Sequence, residues 1–208
     1  VIDDDGTGPE ADDGVAPAVS RAAPAGGASD ADHAAAAAGE LVEVVDLRGR
    51  VERIVTRAEM RAGRLRHRCT YIVVVDAQDR LVVHQRAAWK DVWPSRWDVA
   101  FGGVVGLDED WADAAHRELA EEAGIEAHLV EIGRGAYEDA DVSVLGHVYL
   151  ARHDGPFTFP DGEVAAHDRI PLDDVEAWLD DHELCPDSLA LAAAALGIVT
   201  GSADTPPH

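Results

Sequence analysis

The chain has 208 residues, 41 of them Asp or Glu and 17 Lys or Arg, for a formal net charge of −24. Such an excess of negative charge repels nucleic-acid backbone and anionic lipid, so neither is expected as a partner. Hydrophobic residues make up 47%, enough for a core, yet no apolar run approaches the roughly 18 residues of a membrane-spanning helix.

Residues 1–39 are rich in Ala, Gly, Pro and Asp and hold no sustained apolar period, which reads as a disordered acidic tail. The opening Val1-Ile2-Asp3-Asp4-Asp5 lacks the basic-then-apolar layout of a secretory signal, so the cytoplasm is the expected location. A single domain is expected over 40–196. Leu41–Val45 and Val51–Val55 read as strands joined by a turn at Arg48-Gly49-Arg50, and Thr56 is placed to cap a short helix through Arg61. Cys69–Val75 is a β-branched apolar run of the kind buried on both faces of a sheet, with Leu81–Gln85 as its hairpin partner. The clearest helix spans 110–123. Asp110 stands at the N-cap, Gly124 at the C-terminal stop, and Trp111, Ala114, Ala115 and Leu119 form the core-facing stripe. Strands are expected at 126–133, 142–151 and 163–170, a helix from Pro171 to Asp181, a last helix over 187–196, and a loose tail over 197–208. Cys69 and Cys185 belong to no Cys-x-x-Cys pair, which argues against a thiolate zinc site and leaves two separate buried thiols as the simpler reading.

The chemistry is concentrated in the 110–123 helix. Glu118, Glu121 and Glu122 are spaced i, i+3 and i+4, so they share one face, where like charges repel. A cation would offset that repulsion. An all-carboxylate set suits Mg²⁺, with Mn²⁺ as a substitute, and such an ion also meets substrate phosphates. Arg117 lies four residues before Glu121 and eight after Glu109, within reach of either carboxylate. The bland alternative is a solvated acidic face.

The run from Gly103 to Ile125, GVVGLDEDWADAAHRELAEEAGI, fills every fixed position of the Nudix box, G-x5-E-x7-R-E-U-x-E-E-x-G-U, with U a bulky apolar residue. These positions are Gly103, Glu109, Arg117, Glu118, Leu119, Glu121, Glu122, Gly124 and Ile125. Outside the box, His67-Arg68, Gln85-Arg86, Lys90, Trp93-Pro94, Trp97-Asp98 and Gly102-Gly103 resemble the Nudix branch related to isopentenyl-diphosphate isomerase. The resemblance covers about 41–195. It implies an α/β fold, an α/β/α sandwich with a mixed sheet, in which the box forms loop–helix–loop. It further implies that Glu118, Glu121 and Glu122 bind metal with help from the Gly103 carbonyl, that Arg117 serves catalysis with them, and that the substrate is a small-molecule diphosphate, mostly a nucleoside diphosphate linked to another group.

Where the isomerases carry a catalytic Cys and a metal-binding His, this chain has Phe101 and Gly103. Those departures, with the intact Glu-Glu pair, favour hydrolysis over isomerisation. A catalytically silent nucleotide-binding module is the other alternative. The general base stays open. Related hydrolases place a Glu near Ala166, and Glu163, Glu138 and Asp139 are the substitutes at hand. Arg86 and Lys90 are candidate phosphate contacts. Trp93 is a candidate substrate contact, as is Trp89, whereas Trp97, beside a strand at Asp98, reads more as packing. His67 reads as a hydrogen-bonded structural histidine. A homodimer is one oligomeric arrangement left open.

Overall fold

The computed structural model describes residues 20–21 and 37–197. The rest of the stretches read as tails lies outside the described residues. In chain order the strands are β1 (Ser20–Arg21), β2 (Leu41–Val45), β3 (Val51–Thr56), β4 (His67–Val75), β5 (Arg80–Arg86), β6 (Trp97–Asp98), β7 (Leu129–Glu138), β8 (Ser143–Arg152) and β9 (Val164–Pro171). The helices are α1 (Arg57–Ala62), α2 (Trp111–Ala123) and α3 (Val175–Asp180), then α4 (Pro186–Ser188), a π-helical turn over Leu189–Ala193, and α5 (Ala194–Leu196).

The sheet is organised on β4, whose residues are all buried except half-buried Arg68. Along one edge β4 runs parallel to β8, from His67 opposite Val144 to Val75 opposite Arg152. Its other edge is shared. β2 meets it at Val44–His67, residues 101–104 bridge its middle, and β5 pairs antiparallel with its end. The β4–β5 turn is held by Asp76, whose Oδ1 accepts from the amides of Gln78 at 2.9 Å and Arg80 at 3.0 Å. β9 pairs with β5, and the two residues of β1 add to its far edge through Ser20–His167 and Arg21–Ala166.

Alternation along β4 separates two cores. Cys69, Tyr71, Val73 and Val75 face Val175, Leu179, Leu191 and Ala192 of the C-terminal helical segments. Ile72 and Val74 face Phe101 and the stripe Ala115, Leu119 and Ala123 of α2. The result is the α/β/α sandwich with a mixed sheet that the resemblance implies. Both cysteines are free and buried. Thr56 caps α1 in a reciprocal box, accepting from the Glu59 amide at 3.2 Å while Glu59 accepts from the Thr56 amide at 2.9 Å.

One strand departs from expectation. The segment read as 126–133 begins at Leu129, because residues 125–128 carry the chain away from the α2 C-cap. It then continues to Glu138, since the irregularity between Glu131 and Gly133 is absorbed as a bulge and pairing with β8 persists to Glu138–Ser143.

Candidate active site

Helix α2 crosses the sheet beside the point where residues 101–104 turn back along β4. Two backbone bonds fix that turn: the Ile72 amide donates to the Phe101 carbonyl at 2.6 Å, and the Thr70 amide to the Gly103 carbonyl at 2.9 Å. Gly102 has φ +140°, and a Cβ there would lie 2.0 Å from the Thr70 oxygen. A Cβ on Gly103 would lie 2.7 Å from Glu118 Oε2. At Gly102 only glycine lets the turn lie this close to the β4 backbone in this conformation. In return, the Gly102 amide donates to Glu122 Oε2 at 2.8 Å.

Glu118 and Glu122 point into the gap between α2 and this turn, with Glu122 only 4% exposed. Glu121, 54% exposed at its side chain, sits at the rim. Arg117 ties the helix to its preceding loop. Its Nε and Nη2 each lie 2.9 Å from the two oxygens of Glu109, and its Nη1 lies 2.7 Å from Glu118 and 2.9 Å from Glu121. The sequence placed Arg117 near Glu109 and Glu121, and the fold adds Glu118. Glu109 also accepts from the Gly106 amide at 2.7 Å. Arg117 and that amide hold the Glu109 carboxyl below its ordinary range.

At the start of β9 the chain contributes two more carboxylates, Asp161 and Glu163. Ligand oxygens of Glu122, Asp161 and Glu163 all lie within 4.8 Å of one another. Lys90 forms an ion pair with Glu163 in which the lysine side chain is 8% exposed. Burial raises Glu118 to about 7 despite Arg117. Burial, then the neighbouring Glu163, pushes Glu122 well above the carboxylate range. Burial raises Asp161 to about 6. For Glu163 burial acts in the same direction, but Lys90 outweighs it and the carboxyl ends below its ordinary value.

Four carboxylates thus line one space, with Lys90, Arg117 and Arg86 as the nearby opposite charges. A set of oxygen donors, one buried and three half-buried, fits a hard divalent cation such as Mg²⁺. The Gly103 carbonyl already accepts from Thr70 but keeps a second lone pair.

These groups line a cavity of about 1010 Å³, the upper end of the range for small-molecule sites. Arg86, Lys90 and Trp93 line it too, so the candidate contacts named from sequence meet the carboxylates in one space. Arg86 is held by its Nε donating to the Val92 carbonyl at 3.2 Å, and Trp93 lies under the Arg96 guanidinium, 4.8 Å from its ring centroid. Trp89 borders a smaller adjoining pocket. Trp97 packs edge-on against Trp178 at 5.4 Å, in keeping with a packing role.

His67 is fully buried, with Nδ1 2.9 Å from the Leu65 carbonyl, and burial lowers its pKa to about 4. Phe101 is buried in the core, stacked on His84 at 4.5 Å. Glu138 and Asp139 stand away from the cavity: Glu138 binds Arg66 and Ser143, and Asp139 caps the β7–β8 turn. Ala166 is buried in β9 opposite Gln85. Sequence reasoning passed over Asp161, whose only local signal is a second acid one glycine before Glu163.

A family model described as the NUDIX domain matches residues 65–188. The uncharacterized Nudix hydrolase YfcD of Escherichia coli (strain K12) is 36% identical over 155 residues, which is 74% of this chain and 85% of YfcD. The uncharacterized Nudix hydrolase SCO1686 of Streptomyces coelicolor is 35% identical over 75% of this chain and 88% of its own. Among solved structures, DR0079 from Deinococcus radiodurans superimposes with a TM-score of 0.61 at 20% identity, over 76% of this chain and 97% of that one. The Nudix domain of Shewanella oneidensis NrtR, crystallised with ADP ribose, gives 0.53 at 18% identity, over 69% and 97%. On the family model and on relatives of this identity and coverage, this chain belongs to the Nudix family.

Proposed function

We propose that the protein is a divalent-metal-dependent hydrolase of a diphosphate linkage, acting on a nucleoside diphosphate joined to another group. The observation that carries this reading is the partly buried group of Glu122, Asp161 and Glu163, with Glu118 lining the same cavity, which Arg86 and Lys90 also line. Glu118, Glu121 and Glu122, with the Gly103 carbonyl at their side, are the proposed metal-binding set, joined by Glu163 and Asp161. A bound Mg²⁺ or Mn²⁺ would neutralise phosphate charge and acidify a water molecule.

The chain's own groups supply the rest. Arg117 keeps Glu118 and Glu121 in place through its fork on Glu109. Glu163, kept ionised by Lys90, is the proposed acceptor of the proton lost as the water oxygen bonds to phosphorus. The anhydride P–O bond breaks and its electron pair leaves with the departing phosphate. Arg86 and Lys90 face the phosphate oxygens, and Trp93 offers an aromatic surface to the attached group. The ADP ribose held by the NrtR domain shows that this fold can house such a ligand in another protein.

The test is a screen of nucleoside diphosphate conjugates and isoprenoid diphosphates with Mg²⁺ or Mn²⁺, read as product formation by chromatography. At least one nucleoside diphosphate conjugate is hydrolysed, and EDTA abolishes the reaction. Isopentenyl and dimethylallyl diphosphate do not interconvert, since Phe101 is a core residue with neither thiol nor ligand atom. Hydrolysis that survives EDTA, or a protein that binds nucleotides and turns none over, would overturn the proposal.

A further inference from the structure

A smaller pocket of about 180 Å³ adjoins the main cavity. Arg57, Arg61, Lys90 and Glu163 line both spaces, and Trp89 and Asp91 complete the smaller one's polar and aromatic lining. Arg57 and Arg61 stand one turn apart on α1, so their side chains leave the same face. Three cations therefore converge on one concavity in a chain whose net charge is −24 and whose only lysine is among them.

Lys90 is paired with Glu163, but the present partners of the two arginines leave much of their charge unused. Arg57 Nη1 meets Glu40 at 3.1 Å, and Arg61 Nε meets Asp91 at 3.1 Å. Glu40 is 57% and Asp91 49% exposed at the side chain, and such solvent-facing pairs hold weakly. Each of these two bonds engages one of the five N–H donors of a guanidinium. Beside the same two guanidiniums, His67 Nε2 is buried with no hydrogen-bond partner among the described residues. A volume of about 180 Å³ is below the roughly 300 Å³ at which whole-ligand sites begin, so the pocket suits one group of a larger ligand.

We propose that Arg57 and Arg61, beside Lys90, form a phosphate subsite, which takes a phosphate of the substrate beyond the two that make the cleaved linkage. The proposal rests on the hydrolase reading for the identity of the larger ligand. The linkage itself is served by the carboxylate cluster, Arg86 and Lys90, on other elements, which leaves the α1 guanidiniums for a further phosphate. Planar guanidinium forks suit a phosphate dianion, which can accept from two or three donors at once. The substrate class narrows to diphosphate compounds bearing an additional free phosphate.

The experiment is a calorimetric titration of the metal-free full chain with inorganic phosphate in EDTA. Without metal the carboxylate cluster repels the anion, so heat of binding reports the basic pocket. Wild type binds one phosphate per chain. Arg57→Ala and Arg61→Ala each weaken that binding by about tenfold or more, the loss expected from one charge-assisted bond. Arg134→Ala, which removes the same charge from an exposed position on β7, stays within about twofold. Arg57→Gln and Arg61→Gln, which keep most of the buried stem, carry the same readout should the alanine variants melt early. No phosphate binding by wild type, or unchanged affinity in both arginine variants, would overturn the subsite. The readout needs no turnover, so an inert protein that binds phosphate through Arg57 and Arg61 would sink the hydrolase reading, and with it the substrate class, while keeping the phosphate subsite.

Discussion

Glu118 and Glu122 are acids that the fold buries with too little opposite charge, and that has a sign in pH. Burial raises both pKa values, Glu118 to about 7 from 4.5. A carboxyl whose folded pKa lies above its unfolded one stabilises the fold fully below the unfolded value, and that contribution is lost as pH rises through the folded value. In EDTA, Glu118→Gln and Glu122→Gln therefore gain stability relative to wild type as pH climbs from 4.5 to 7, and differ little from it at the lower end. With Mg²⁺ their turnover falls by about 100-fold or more, the scale of damage at a metal site. Melting curves across that pH range, paired with turnover, check both halves. Variants that lose stability at every pH while keeping activity would assign the cluster to structure. The helical spacing made Glu118, Glu121 and Glu122 legible in the sequence. Asp161 was not legible, because only the pairing of β9 with β5 brings residues some forty positions away onto the same gap.

Helix α2 is the element whose limits the sequence stated most clearly, since both ends carry cap chemistry. Asp110 accepts from the Ala112 amide at 3.0 Å, and Gly124 closes the helix with φ +64°. A Cβ on Gly124 would lie 1.9 Å from Thr158 Oγ1 and 2.9 Å from the Thr158 oxygen. Gly124→Ala thus meets a left-handed backbone and a clash at once, for an expected loss of about 2 kcal/mol or more in urea unfolding. The change lies two residues from Glu122, so apparent Mg²⁺ affinity weakens with it. A variant as stable as wild type would mean that the Thr158 segment yields freely. Elsewhere local pattern was less informative. β7 carries exposed and half-buried residues in an irregular mixture with a bulge, which blurs the period of two. The Ala/Leu run of the last helix fixes helicity but gives no sign of its π turn at Leu189–Ala193.

Across the whole molecule, the mixed sheet positions the site by bringing α2, the 101–104 turn and the start of β9 to one gap, and residues 37–197 contain all of these parts. The preceding 36 residues add only β1 to the described structure, as a two-residue pairing along the β9 edge. One or two backbone bonds at a sheet edge contribute about 1 kcal/mol each, offset by the entropy of ordering the residues that make them. Residues 1–36 hold eight acids and Arg21, so a chain beginning at Ala37 keeps −17 of the original −24. It still repels polyanions, and charges beyond about 8 Å are screened at physiological salt. We therefore expect this shortened chain to lose no more than about 2 kcal/mol of stability and to keep turnover within about twofold. Urea unfolding and steady-state kinetics on the two lengths check this. A larger loss of stability, or a fall in turnover, would show that the first 36 residues belong to the folded domain, with the β9 edge as the place where they join it.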